Sequence, residues 1–482
     1  MIRHKHKERI VELDITELSR DGHGLGIYTG ETGVEWTIEV PFTIPGDRVK
    51  AKLLRKRGGV YSSIFVEMIK HSPVRITPRC IHFAVCGGCR WQQQSYTDQL
   101  RLKEEIVRDL FDRFVVHNPE AYLSIIPCDP PWNYRNKMEF SFSENVDKDH
   151  FLGLVMQGSR GKVLNLSICH LVNPWFIEAL SIVRAWWEGS GLDAYNMHRN
   201  TGSLRTLTIR EGQRTGDRMA MLTVSGHPDY ALSKAQISSF VEVLRAIEPK
   251  EGEGRLSIFV RIQQIAKGVP TNFYEMHLHG PESIREVLNI ADRPESAPNP
   301  LTFNISPTAF FQPNTRQAEK LYSNALQHLA IKPESVVYDL YCGTGTLSIC
   351  AAKKAKQVIG IEITPQAVLD AQENAKENKL TNIEFIDGDV GAILSQARKD
   401  NRLPKPDIVM VDPPRSGLSP EAVKQIVELH PSTILYVSCN PVTQARDVEI
   451  MIAEGYKITV IQPVDQFPHT IHVENIVVLK KQ

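Results

Sequence analysis

Two residues that could do chemistry stand where an apolar, strand-like run is stopped by proline. The run at 435–437 leads into Cys439 and is followed by Asn440 and Pro441. A proline cannot continue a strand ladder, so the cysteine is expected on the loop just past the strand. Asp412 ends a second apolar run in the same way, before a Pro-Pro pair. Two such strands side by side would place Asp412 and Cys439 together at the carboxyl rim of an α/β sheet, where ligands bind.

A second set of reactive side chains is the cluster Cys80, Cys86 and Cys89, with two glycines between its last two members. Three thiols this close in a cytosolic chain suit a metal or iron–sulfur cluster better than disulfides. Structural zinc is the competing interpretation, although its ligands usually come in two closely spaced pairs. The fourth ligand must come from elsewhere: Cys169, which ends a short apolar run, is the best candidate, and Cys128 is the rival. Four thiolates would make the cluster structural rather than catalytic.

A glycine-rich turn follows another apolar run. Asp339 precedes this turn, which contains Gly343 and Gly345, and the next strand-like run ends in Glu362. Glycines let the backbone approach a ligand closely, and an acid at the end of the second strand can bind ribose hydroxyls. A dinucleotide fingerprint would read G-x-G-x-x-G, which this turn does not. The pattern therefore favours a nucleoside cofactor without a pyrophosphate, such as S-adenosylmethionine, over NAD.

Both the strand-end residues and the glycine turn fall in a region where strand-like and helix-like runs alternate strictly. The apolar strand-like runs lie at 336–341, 358–362, 383–386, 407–412 and 435–439. Helical periodicity separates them. Residues 301–482 are therefore predicted to form a Rossmann-like, doubly wound parallel sheet with an antiparallel end.

The rest of the chain divides into two further regions. Residues 8–72 show about five short strands between Gly and Pro turns, the size of an OB-like β-barrel that commonly holds RNA. A barrel with only a packing role fits the same pattern. Residues 73–300 mix strands and helices around the cysteine cluster, and a proline-rich stretch at 293–300 marks the next boundary. The predicted domains of this α/β protein are thus 1–72, 73–300 and 301–482.

The composition is that of a globular protein, with 42% hydrophobic and 23% charged residues among 482 and a net charge of zero. Zero net charge excludes a wholly basic nucleic-acid binder but not a local patch, such as the acid-free basic run at 48–57. The simplest interpretation of that run is a solvated hairpin edge. No apolar run approaches the roughly 20 residues that span a bilayer, and the polar start lacks a signal-peptide core. We expect a cytoplasmic protein without membrane association, monomeric and with no obligate protein partner.

Five motifs, in this order along the chain, resemble those of the RNA uracil-C5-methyltransferases. They are Ser306-Pro307-x-x-Phe310-Phe311-Gln312-Pro313-Asn314, Asp339-Leu340-Tyr341-Cys342-Gly343-Thr344-Gly345, Asp412-Pro413-Pro414-Arg415, Ser438-Cys439-Asn440-Pro441 and Asp465-x-Phe467-Pro468-His469-Thr470-x-His472-x-Glu474. The N-terminal region resembles the TRAM domain, which implies RNA binding. The cysteines at 80, 86, 89 and 169 match the iron–sulfur ligands of the branch that modifies 23S ribosomal RNA.

The resemblance implies a role for each matching residue. S-adenosylmethionine would be the methyl donor, and a structural [4Fe–4S] cluster would be held by Cys80, Cys86, Cys89 and Cys169. Cys439 matches the family's nucleophile and Glu474 its base. The cofactor-site positions, beside Gly343 of the turn, match Gln312, Tyr341, Glu362, Asp389 and Asp412.

The substrate implied by this branch is 23S rRNA, with tRNA as the alternative RNA. A rival class is a non-catalytic RNA-binding or assembly protein with a degenerate methyltransferase domain. Such a protein would have lost the nucleophile or the glycine turn, and both are present here.

Overall fold

The structure is a computed structural model that describes residues 9–30, 32–159, 161–265, 270–291, 299–400 and 402–482. Most of the proline-rich stretch at 293–300 and the polar N-terminal residues lie outside these ranges. The chain divides into two compact units. The first comprises residues 1–102, 155–160 and 467–471, and the second comprises residues 103–154, 161–466 and 472–482. The three-domain division stays a prediction.

The first unit contains a sheet built from strands that precede residue 71. They are β1 (Ile10–Asp14), β2 (Glu17–Leu18), β3 (Gly24–Thr29), β4 (Glu35–Val40), β5 (Arg48–Arg57) and β6 (Val60–Lys70). Their order is β1-β5-β6-β4-β3-β2. Alternate residues of β1 are buried, as expected of a strand with one face on a core. The basic run at 48–57 forms the whole of β5, and Gly58 and Gly59, at φ 54° and 88°, turn the chain into β6. Closure of this sheet into an OB-like barrel stays a prediction.

The next elements build what we call the central sheet of the second unit. In chain order they are β7 (Lys137–Glu144), β8 (His150–Val155), β9 (Val163–Asn165), α2 (Pro174–Ser190), β10 (Leu204–Glu211), β11 (Arg218–Ser225), α3 (Lys234–Leu244), β12 (Leu256–Gln264) and β13 (Asn272–His279). Helix α1 (Tyr96–Val115) precedes them, and its Val107 and Phe111 join a hydrophobic cluster with Tyr338 instead. The strand order is β13-β12-β11-β10-β7-β8-β9. The pairs β12–β13, β10–β11, β7–β10 and β7–β8 are antiparallel, while β11 and β12 run parallel.

Helix α2 packs on α3 through Trp186 and Phe240, whose ring centroids lie 5.1 Å apart. Short 3-10 helices occur at Pro119–Ala121, Pro228–Tyr230 and Arg245–Ile247. The antiparallel pair β14 (Ile284–Ile290) and β15 (Asn299–Ile305) comes next, followed by α4 (Thr315–Gln327). Helix α4 begins at Asn314, whose side-chain oxygen accepts the Gln317 N–H at 3.2 Å.

The remaining elements form what we call the C-terminal sheet and its helices. They are β16 (Val336–Leu340), α5 (Thr346–Ala352), β17 (Gln357–Glu362), α6 (Pro365–Glu377), β18 (Ile383–Asp387), α7 (Val390–Asp400), β19 (Ile408–Val411), α8 (Pro420–Glu428), β20 (Thr433–Ser438), α9 (Pro441–Ala453), β21 (Tyr456–Val464) and β22 (Glu474–Lys481). The order is β18-β17-β16-β19-β20-β22-β21, parallel from β18 to β20, with β22 antiparallel to both neighbours. The predicted doubly wound sheet with an antiparallel end is confirmed.

The C-terminal sheet is buried on both faces, which explains the apolar runs in its sequence. Along β20, Leu435 and Val437 join one hydrophobic cluster, and Ile434 and Tyr436 join the cluster on the opposite face. Full burial of such a side chain stabilises the fold by roughly 1.5–3 kcal/mol. The winding changes direction at β16, which lies between β17 and β19, so a crevice is expected at the carboxyl ends of these strands.

Within the described residues, no helix combines the length and the apolar character needed to cross a membrane.

Candidate active site

Cys439 lies in the tight turn between β20 and α9. The hydroxyl of Ser438, the last residue of β20, accepts the Asn440 N–H at 3.1 Å. Asn440 is the N-cap of α9, where its side-chain oxygen accepts the Val442 N–H at 3.3 Å. Pro441 suits the first helical turn because its missing N–H would have no intrahelical partner there. The local sequence thus fixes Cys439, half-buried, at the carboxyl end of its strand.

Asp412 occupies the corresponding place after the neighbouring strand. β19 pairs in parallel with β20, with Val411 opposite Tyr436. The carbonyl of Arg415, in the loop after Asp412, accepts the side-chain N–H of Asn440 at 2.8 Å. This hydrogen bond ties the loops after β19 and β20 together, so the two strand-end residues stand on adjoining loops.

Glu474 reaches the same place from the antiparallel strand. It is the first residue of β22, which pairs with β20 so that Asn475 lies opposite Ser438. One step further along this register, Glu474 lies beside Cys439. Glu474 is only 2% exposed, and within the described part of the chain its Oε2 has no hydrogen-bond partner. Buried polar atoms are nearly always paired, so this orphaned oxygen points to a role for the carboxyl group.

The turn between β16 and α5 has three residues in the left-handed region: Tyr341 at φ 64°, Gly343 at 53° and Gly345 at 75°. A β-carbon on Gly345 would lie 2.7 Å from the Phe385 ring, whereas one on Gly343 would meet nothing within 4 Å. Packing therefore requires a glycine at 345, while Gly343 leaves space open above the turn. Glu362 accepts the Gly343 N–H at 3.1 Å and so braces the turn from the end of β17.

A cavity of about 380 Å³ joins these parts. The residues predicted from the sequence that line it are Gln312, Tyr341, Gly343, Asp412, Cys439 and Glu474. Two predicted residues stand outside this lining. Glu362 lies one hydrogen bond behind Gly343, and Asp389 is exposed after β18, where its Oδ1 accepts the Ala392 N–H at 2.9 Å.

Burial makes the acids of this cavity hard to ionise. It raises the pKa of Glu474 to about 8, with the charge of Asp412 as a further cause and Arg415 opposing the shift. Burial also raises the pKa of Asp412 to about 7 and that of Asp339 to about 7. Burial, followed by the charges of Glu474 and Asp412, raises the pKa of the Cys439 thiol to about 11, while Arg415 lowers it by charge and by a hydrogen bond. Arg415 is thus the cation that favours the ionised forms of both Cys439 and Glu474.

Arg415, Asp339 and Tyr322 are among the lining residues that received no role from the sequence. Arg415 ends the motif that begins at Asp412, and this position was the signal that could have identified it as a site residue. Asp339 is buried in β16 and accepts a hydrogen bond from Ser348. Tyr322 comes from α4, which directly follows the motif ending at Asn314, but no local pattern marks it.

The predicted cluster cysteines are divided between the units: Cys80, Cys86 and Cys89 belong to the first, and Cys169 belongs to the second. In the first unit the Gly88 N–H points at the Cys86 sulfur, 3.4 Å away. Across the described ranges, no group of three or more His, Cys, Asp or Glu side chains is arranged to hold a metal ion.

Comparison with known proteins gives the family of the chain. The family model described as tRNA (uracil-5-)-methyltransferase matches residues 274–482. The chain is 53% identical over 443 residues to an uncharacterized RNA methyltransferase of Protochlamydia amoebophila, covering 92% of this chain and 99% of the relative. It is 33% identical over 484 residues to another from Chlorobaculum tepidum, covering 98% and 96%.

Among solved structures, the tRNA (uracil-54, C5)-methyltransferase of Pyrococcus abyssi in complex with S-adenosyl-L-homocysteine shares the fold. The TM-score is 0.70 at 24% identity, and the match covers 97% of this chain and 100% of that chain. The fold is thus that of an S-adenosylmethionine-dependent methyltransferase. The chain belongs to the RNA methyltransferase family of the uracil-5 type.

Proposed function

We propose that this protein forms 5-methyluridine in RNA by covalent catalysis, with Cys439 as nucleophile and Glu474 as base. The observation that carries the proposal is that one cavity is lined by the Cys439 thiol, by the buried carboxyl of Glu474 and by the open glycine turn at Gly343. A nucleophile, a proton acceptor and a cofactor turn are the three parts that this reaction requires.

Uracil C5 is too weak a nucleophile to take a methyl group directly. Addition of the Cys439 thiolate to C6 pushes electrons onto C5 and creates an enolate that can attack. Arg415 supports this addition, because a cation that donates a hydrogen bond to the sulfur favours the thiolate. Once C5 carries the methyl group, Glu474 removes the C5 proton. The C6–sulfur bond then breaks, which releases the product and restores Cys439.

The cavity has the volume of a small-molecule site, and its open glycine turn suits S-adenosylmethionine. Gly343 would allow close approach of the cofactor to the turn, and Gln312, Tyr341 and Asp412 line the same space. Glu362 and Asp389, at the ends of the next two strands, are proposed to contact the nucleoside part. When bound, S-adenosylmethionine supplies an electrophilic methyl group on a sulfonium. The residues of this chain hold and orient it beside Cys439.

We propose 23S rRNA as the substrate, on the strength of the resemblance of the cysteine pattern. The tRNA alternative is favoured by the structural neighbour from Pyrococcus abyssi, which is a tRNA methyltransferase. To decide between them, 5-methyluridine is mapped in rRNA and tRNA from cells with and without the gene, and from cells carrying Cys439→Ala. Loss of a 23S rRNA signal in both deficient strains supports the proposal, and loss of a tRNA signal alone supports the alternative. If no 5-methyluridine changes in any RNA, the proposed reaction is wrong.

From the sequence we also propose a structural [4Fe–4S] cluster held by Cys80, Cys86, Cys89 and Cys169. One observation in the first unit supports this proposal: the N–H of Gly88 is directed at the Cys86 sulfur. Such hydrogen bonds to sulfur are found around cluster thiolates. Protein purified without oxygen should be brown and contain about four irons per chain. Stoichiometric zinc and no iron in the same preparation would contradict the proposal, and Cys169→Ser and Cys128→Ser would identify the fourth ligand.

A further inference from the structure

Gln466 is a fully buried glutamine whose side chain is only half satisfied. Its exposure is 0%, and within the described part of the chain its Oε1 has no hydrogen-bond partner. Its Nε2 donates to the side-chain Oε1 of Gln312 at 3.2 Å and to the carbonyl of Asn314 at 3.4 Å. A buried unpaired carbonyl oxygen costs about 1–3 kcal/mol. A leucine or methionine of similar size would avoid that cost, so the donation to Gln312 calls for a reason.

The surroundings of Gln312 leave only its amide group free to turn. Its backbone carbonyl accepts the Asn136 side-chain N–H at 2.9 Å, and the next carbonyl, of Pro313, accepts the Asn136 backbone N–H at 2.8 Å. On the other side, Asn314 donates to the backbone carbonyl of Gln466 at 3.2 Å. The backbone of Gln312 and that of Gln466 are therefore fixed relative to each other. The remaining degree of freedom is the rotation that decides which end of the Gln312 amide faces the cavity.

The hydrogen bond from Gln466 decides this orientation. Because Gln466 donates, the Oε1 of Gln312 must face Gln466, and the NH2 group of Gln312 must face the opposite way. That NH2 group interacts with the phenol of Tyr322, which also lines the cavity. The Gln312 amide and the Tyr322 hydroxyl therefore offer hydrogen-bond donors to a cavity that is also lined by Asp412 and Glu474, whose charges act on Tyr322.

We propose that Gln466 is a positioning residue that holds the Gln312 amide with its N–H groups toward the cofactor, where they bind the α-carboxylate of its amino-acid part. This inference rests on the proposed function, because it assumes that the cavity takes S-adenosylmethionine. A carboxylate can only accept hydrogen bonds, so a wall of N–H and O–H donors matches it. If the amide were reversed, its carbonyl oxygen would face the carboxylate and repel it.

The test measures binding of two ligands by calorimetry: S-adenosylhomocysteine, which has the carboxylate, and 5′-methylthioadenosine, which lacks the whole amino-acid part. Gln466→Met keeps the volume of the side chain but removes its donor. It should weaken S-adenosylhomocysteine binding about tenfold, which is the scale of one well-placed hydrogen bond to a charged group. It should leave 5′-methylthioadenosine binding within about twofold, because that ligand makes no use of the donors. On a Gln312→Ala background the same substitution should have no further effect on either ligand, since the two residues act as one.

Three results would overturn the proposal: unchanged S-adenosylhomocysteine binding in Gln466→Met, an equal loss for both ligands, or additive effects in the double variant. Should Gln466→Met fail to fold, Gln466→Leu replaces it, and Gln312→Glu tests the donor group that Gln466 orients, because its carboxylate has no N–H to offer. The Gln312→Glu variant should lose binding of S-adenosylhomocysteine but keep binding of 5′-methylthioadenosine. An equal loss for both ligands would contradict the proposal. Failure of the wild-type protein to bind S-adenosylhomocysteine at all would instead refute the proposed function.

Discussion

Two buried glutamates, one in each large sheet of the second unit, show how differently the same side chain can be used. Glu211 ends β10 of the central sheet, where Asn173 donates to its Oε1 at 2.7 Å and Trp175 donates to its Oε2 at 2.6 Å. Glu474 begins β22 of the C-terminal sheet, where its Oε2 has no partner among the described residues. Burial raises the pKa of both, but hydrogen bonds oppose the shift only at Glu211.

The two sheets use their buried carboxyl groups for different purposes. In the central sheet a buried carboxyl is fully paired, and it stabilises the contact between β10 and the start of α2. In the C-terminal sheet the carboxyl ends of the parallel strands gather Asp412 and Cys439 at one rim, and Glu474 is delivered there from the antiparallel end. A carboxyl that is to take a proton from a substrate must keep an oxygen unoccupied, even at a cost in stability.

The largest expected effect is that of Cys439→Ala, which should reduce methyl transfer below detection while S-adenosylhomocysteine binding is kept. Without the thiol, C5 of uracil is never activated. The proposed cofactor site is at the turn after β16, which this change does not touch. Methyl transfer to RNA and calorimetric binding are measured on the same preparation.

Cys350→Ala is the matched control, because Cys350 is a cysteine of the same sheet's first helix, buried and outside the cavity lining. It should retain activity despite a modest loss of stability. Activity above a few per cent in Cys439→Ala, with Cys350→Ala normal, would mean that another residue attacks C6.

The second effect separates two glycines of the turn after β16. Gly345→Ala combines a left-handed backbone with a β-carbon 2.7 Å from Phe385, and should destabilise the fold by roughly 3 kcal/mol. Gly343→Ala meets nothing within 4 Å and should cost only about 1 kcal/mol, while its methyl group enters the cofactor space. Urea unfolding and S-adenosylhomocysteine affinity are both measured. If the two variants lose equal stability, packing against Phe385 is not what fixes the glycine at 345.

The third effect concerns the two glutamates and depends on pH. The native pKa of Glu474, about 8, lies above the value of 4.5 expected in the unfolded chain, so unfolding releases a proton between these pH values. Glu474 therefore destabilises the native state increasingly as pH rises from about 4.5 to about 8. Glu474→Gln should remove this penalty, and its stability advantage over the wild type should grow across that window.

Glu211→Gln should instead be less stable than the wild type. Its new amide N–H faces another donor, which lowers the free energy of unfolding by about 1–3 kcal/mol. Denaturant unfolding at pH 5 and pH 8.5 compares the two variants with the wild type. A Glu474→Gln variant that is less stable than the wild type at pH 8.5 would show that its carboxyl is satisfied in the native state.

The comparison also shows what the sequence could predict. Cys439 and Asp412 were found because each ends an apolar run that proline interrupts, which is a local signal. Glu474 has no such signal, and only the resemblance of the motif around it marked the residue.

The residues that escaped prediction are those whose meaning comes from distant partners. Gln466 is one of them, since its side chain donates to Gln312 from 154 positions away in the chain. β13 was missed although Tyr274, Met276 and Leu278 alternate with polar residues; it is an edge strand of the central sheet, and six of its residues in succession are exposed.

The most direct test of the account is to look for a covalent complex in the Glu474→Gln variant. Addition of Cys439 to C6 and methylation of C5 come before any base is needed, so the variant should perform both and then stall. Enzyme mixed with substrate RNA and S-adenosylmethionine should give a protein–RNA band that survives boiling in detergent and contains methyl label, and Cys439→Ala on the same background should erase it. Normal turnover by Glu474→Gln, or no adduct although RNA and cofactor bind, would contradict the assignment of Glu474 as the base.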